Sequence, residues 1–249
     1  CRYFRVVNYK PFQTIEEVTS IMLQKDNLLA KATISLIPDN ALTTTKVVLR
    51  NTYLLLSLTL LFGAFIAGIT VVSHAPPLHW LITVAGYLGL LFALTRLCNS
   101  AWGLLAVFVL TGFLGYTLGP ILSLYLALPN GSQLVMTALA GTGVVFLALS
   151  SYALVSHKDF SFMGAFLMVG MLVTFLASIG AVLFNLPVLS LAVSAMVILL
   201  MSGMILWQTS EIIHGGETNY IMATVTLYTT IFNLFVNLLQ ILGVVSSDD

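Results

Sequence analysis

Thr226, Thr230, Asn233, Asn237 and Gln240 follow one another at spacings of four, three, four and three residues. That spacing sets five hydrogen-bonding side chains on one face of a helix. In an apolar run, hydroxyls and carboxamides of this kind have two uses. They bond to neighbouring helices and hold them together, or they line a hydrated path for an ion or polar solute. Both readings keep the face away from lipid, so the helix that carries it must be wrapped by others.

Glu211 is the only acidic side chain inside an expected membrane span, with Gln208 one turn away on the same face. A carboxylate at that depth is costly and usually paired. Arg96, at a similar depth, is its expected partner, and the two would form a latch closing a cavity; the alternative is a Glu211 that snorkels to headgroup water. His214 ends its helix before Gly215, the residue type that closes helices in the left-handed conformation. An imidazolium there would meet the negative end of the helix dipole and could sense pH beside Glu211 and Glu217, or serve structure alone. Asp159 reads as an N-cap.

Catalytic sets are missing. The sequence holds no HExxH, no GxSxG and no membrane pair of aspartates, which excludes the zinc, serine and aspartyl hydrolases that need them. The last span has no Lys for a Schiff base. Cys1 and Cys98 are too few for a disulfide framework, and no Cys/His cluster has metal-ligand spacing. The chain is therefore expected to be no enzyme, with no cofactor and no metal. Its nine Lys+Arg and nine Asp+Glu cancel, leaving no basic field to recruit nucleic acid.

The elements that must position these residues follow from composition. Of 249 residues, 59% are hydrophobic and 7% charged, against about 25% charged in soluble domains. About 20 apolar residues cross the hydrocarbon as a helix. Seven segments qualify, near 48–72, 79–97, 101–126, 133–156, 161–184, 188–213 and 219–245. The predicted fold class is all-α, a seven-helix transmembrane domain over 47–249 behind a cytoplasmic tail over 1–46. Within the tail, 19–36 reads either as a surface amphipathic helix or as loosely ordered chain. No apolar core of signal-peptide type precedes the first span, so that span should act as its own insertion signal. Arg2, Arg5, Lys10, Lys25, Lys31, Lys46 and Arg50 precede it, Arg96 falls at the second connection and Lys158 at the fourth. All nine positive charges lie on one side of a seven-span chain, which places the N-terminus in the cytoplasm and the C-terminus outside. Gly112, Gly115 and Gly119 should let a neighbouring helix approach closely, and Pro120 should kink their helix.

Particular strings add a resemblance. Residues 46–60 (KVVLRNTYLLLSLTL), 111–122 (TGFLGYTLGPIL), 158–162 (KDFSF) and above all 212–221 (IIHGGETNYI) resemble the YccA branch of the Bax-inhibitor family, over residues 46 to 245. The resemblance implies a bacterial inner-membrane protein with the last of seven helices central among the rest. It also implies one of two activities: modulation of the membrane-bound AAA protease FtsH, or a pH-sensitive leak of calcium or protons. The leak-type members use two aspartates on the last two helices, and the matching positions here are Gln208 and Thr230. Neutral side chains there give a hard divalent cation no charge, so the protease partner ranks first and the leak second. A membrane scaffold is the third reading.

Overall fold

The computed structural model describes Met22, Gln24, Lys25, residues 39–156 and residues 158–246. The chain divides into two compact units, Cys1–Thr43 and Thr44–Asp249. Of the first, Met22, Gln24 and Lys25 are helical and exposed; the rest of the expected 19–36 segment lies outside the described residues. Seven long helices follow: α1 (Asp39–Val72), α2 (Trp80–Leu97), α3 (Ala101–Leu126), α4 (Gly131–Ser156), α5 (Met163–Leu183), α6 (Pro187–His214) and α7 (Tyr220–Val245). All seven are long and apolar enough to cross a membrane, and the described residues contain no strand.

Local chemistry sets the helix ends. Ser100 accepts the Trp102 N–H at 3.4 Å to begin α3, and Asn219 accepts those of Ile221 and Met222 to begin α7. Pro187 opens α6 in its first turn, and Gly215, at φ 78°, closes it. Asp159 is not a helix N-cap: α5 begins at Met163 with Phe162 in the cap position, and Asp159 accepts the Ser161 N–H at 2.8 Å in the connection before it. Helix α1 starts nine residues before the expected 48, so the polar stretch from Asp39 to Lys46 continues the same helix beyond the apolar run. Helix α3 continues through Pro120 to Leu126.

Two stripes with the same spacing divide α1. Leu54, Leu58, Leu61, Phe65, Ile69 and Val72 are exposed, while Thr52, Leu56, Thr59, Gly63, Ala67 and Thr70 are buried. An apolar face that wide is untenable in water and suits lipid. The buried stripe lies against α3. A Cβ at Gly115 would sit 2.5 Å from the Gly63 carbonyl oxygen, one at Gly112 would sit 3.1 Å from the Phe62 ring, and one at Gly119 would collide with the Thr70 side chain. The expected close approach of α3 to a neighbour is thus made to α1.

Helix α7 is the hub. It packs chiefly on α6 and α4 and then on α3. The Thr224 hydroxyl, which donates one turn back to the Tyr220 carbonyl at 2.7 Å, lies 3.3 Å from the Thr52 carbonyl of α1, and Tyr228 passes its ring over Gly63 to donate to the Thr111 carbonyl of α3 at 3.3 Å. Helix α5 stands behind α6, where Gly164 meets Trp207, Gly170 meets Leu200 and Gly203 meets Leu167. Four helices, α1, α3, α4 and α6, therefore touch the hub, and α5 buttresses α6.

Candidate functional site

Polar side chains gather in two places: at the connections on the Arg96 and Lys158 end of the bundle, and along α7. At the first, Ser210 of α6 joins two connections. Its Oγ accepts the Phe160 N–H at 2.9 Å and donates toward the Lys158 carbonyl at 3.4 Å. His214 Nδ1 lies 3.2 Å from Ser210 Oγ and 3.0 Å from the Ser210 carbonyl oxygen. The fully exposed Asp159 carboxyl is held below the usual carboxylate range, first by the side-chain and backbone hydrogen bonds of Ser161 and to a lesser degree by the nearby His214.

The connection between α6 and α7 is wired residue by residue. The Glu211 carboxylate lies against Gly216, where any Cβ would collide with it, and the Glu211 carbonyl accepts the Glu217 N–H at 3.1 Å. Glu217 in turn accepts the Asn219 N–H at 2.8 Å. Besides capping α7, Asn219 donates through Nδ2 to the Cys98 carbonyl at 3.2 Å and to Asn99 Oδ1 at 3.0 Å, tying this connection to the one between α2 and α3. The guanidinium of Arg96 sits 5.2 Å from the Phe92 ring centroid, and among the described residues no ion pair joins it to Glu211.

Along α7 the stripe resolves into separate uses. Thr230 donates to the Thr226 carbonyl at 2.7 Å, Asn233 to the Thr229 carbonyl at 2.8 Å and Asn237 to the Asn233 carbonyl at 2.8 Å, each one turn back along the same helix. Gln240 reaches out, donating to Ser190 Oγ of α6 at 2.9 Å. Gln208 of α6 is buried and its Nε2 has no protein partner, as is true of the Thr209 and Thr52 hydroxyls. Asn233 of the stripe borders a cavity of about 750 Å³ between the α1–α2 connection, α2, α3 and α7. Its lining includes Thr83 and Tyr87 of α2, Thr117 and Ser123 of α3 and Thr229 of α7, none of which stands out in the sequence. Thr83 and Tyr87 are four residues apart on a helix, which is the one signal they carry. Among the described residues no three His, Cys, Asp or Glu side chains come close enough to share a metal ion.

A helical bundle with lipid-facing outer stripes, closed around a buried final helix, defines a polytopic α-helical membrane protein. The family described as inhibitor of apoptosis-promoting Bax1 matches residues 45–247. A protein of Escherichia coli K12 named modulator of FtsH protease YccA is 48% identical over 208 residues, covering 84% of this chain and 94% of that protein. An uncharacterised protein of Pseudomonas aeruginosa is 50% identical over 202 residues, covering 81% and 91%. A membrane protein of Vibrio cholerae is 43% identical over 206 residues, covering 82% and 92%. The chain belongs to the Bax-inhibitor family, and its resemblance is to the YccA branch.

Proposed function

We propose that the protein is a non-enzymatic, multi-pass inner-membrane protein that binds and restrains a membrane-bound AAA protease of the FtsH type. One observation carries the reading: 48% identity extending over 94% of the Escherichia coli protein named for modulating that protease. A second strain's copy of that relative, equally similar, is named an inner membrane protein. The chemistry of the bundle agrees with a binding role. The cavity beside α7 is lined by no Asp or Glu, and the polar connections are engaged in holding helix ends. The nine Lys and Arg fall on one side of the seven spans, which supports a cytoplasmic N-terminus and a cytoplasmic tail over residues 1–46. There the tail would be presented to the protease while 47–249 stay in the bilayer.

The test is affinity purification of the intact chain from detergent-solubilised membranes, paired with turnover of other membrane substrates. Co-purification of an FtsH-type protease, and faster substrate turnover after deletion of residues 1–40, are the expected results. No association, together with unchanged turnover, would remove the proposal. The cavity walls offer a hard cation no carboxylate, which disfavours a calcium leak through them.

A further inference from the structure

The cavity beside α7 has dimensions and walls that specify its occupant. Its α3 wall runs from Leu114 to Leu124, about 15 Å at 1.5 Å per residue. That is about half of a hydrocarbon core of roughly 30 Å, the depth of one leaflet. The volume of about 750 Å³ falls within the roughly 300–1,000 Å³ of ordinary ligand sites. No Asp, Glu, Lys or Arg lines it.

The polar lining is less open than its residue types suggest. Thr117 donates to the Leu114 carbonyl at 2.8 Å, Ser123 to Gly119 at 3.0 Å, Thr83 to His79 at 3.4 Å and Asn233 to Thr229 at 2.8 Å. These hydroxyl protons, and one amide proton of Asn233, are thus turned into the helices. The Tyr87 phenol approaches the buried Thr229 hydroxyl, which makes no hydrogen bond of standard geometry. What the walls present to the space is chiefly methyl, methylene and ring surface, from Leu114, Ile121, Phe232 and Val236 among others. Water or a bare ion would exchange its own hydrogen bonds for few in return, whereas an alkyl chain would not.

We infer that this cavity holds one acyl chain of a membrane phospholipid, entering from the rim formed by the α1–α2 connection and Trp80. The chain would lie along α3 and α7 with its headgroup at the rim. This inference is independent of the protease reading and can fail without it.

Native mass spectrometry of the full chain, purified in detergent and titrated with palmitoyl-oleoyl phosphatidylethanolamine, tests it. One lipid should survive delipidation, and hexadecanol, which has the chain without the headgroup, should displace it. Thr117→Phe, which fills the cavity, should weaken retention about tenfold or more. Val169→Phe, on the exposed face of α5, should leave retention unchanged. Asn233→Leu should keep the lipid, because its amide is not needed by the guest. Should Thr117→Phe not fold, Val236→Phe makes the same test from α7. Equal retention by cavity-filled and parent proteins, or no retained lipid in the parent, would overturn the inference.

Discussion

A methyl group added at Gly119 would collide with Thr70 of the facing helix, whereas one added at Gly143 would meet nothing within 4 Å. Gly119→Ala should therefore lower stability by about 1–3 kcal/mol, the range for overfilling a packed contact. Gly143→Ala should be neutral or stabilising, since alanine is the better helix former. Thermal midpoints in detergent compare the two, and equal midpoints would mean that α1 and α3 are not in the contact described. Asp159 makes a different prediction. Its folded pKa is depressed, so its contribution is present above the ordinary carboxylate value of about 3.9 and is lost as pH falls through the lower folded value. The carboxyl chemical shift of Asp159, followed against pH, should have its midpoint below that of a model peptide. Ser161→Ala should move the midpoint upward, and a midpoint at or above the peptide value would contradict the assignment.

Among the elements, α7 depends on α6 through Gln240 and Ser190. A double-mutant cycle on Gln240→Leu and Ser190→Ala should return about 0.6 kcal/mol, with about 1.7 as the ceiling for such bonds in membranes. A coupling of zero would mean that Gln240 bonds elsewhere. The position of α7 could be read in the sequence because its polar residues repeat at helical spacing, and lipid enforces that logic. The seven spans were legible for the same reason. The direction of each side chain was not. Thr230, Asn233 and Asn237 bond one turn back along their own backbone, and that choice depends on rotamers and neighbours rather than on spacing. Arg96 and Glu211 were matched by depth alone, which fixes height in the membrane but not separation within its plane. The cavity lining was missed because Tyr87, Thr117 and Thr229 come from three different helices and meet only after folding.

At the scale of the whole molecule, charge placement predicts topology. With native cysteines replaced, a single cysteine at Ser246 should react with an impermeant maleimide in intact cells, and one at Lys158 only after lysis. The reverse pattern would invert the orientation. The central position of α7 also has a consequence for how the protein is born. Helices reach the membrane in chain order, at about 5–20 residues per second, so the hub arrives after the helices that must close around it. Until then Thr52 of α1 and Thr111 of α3 await Thr224 and Tyr228, which have not yet been translated. A chain stopped after Thr218 should insert its six spans normally and yet be cleared quickly, its half-life in a pulse-chase well below that of the chain that carries α7. The fold of this bundle closes only when its seventh helix arrives.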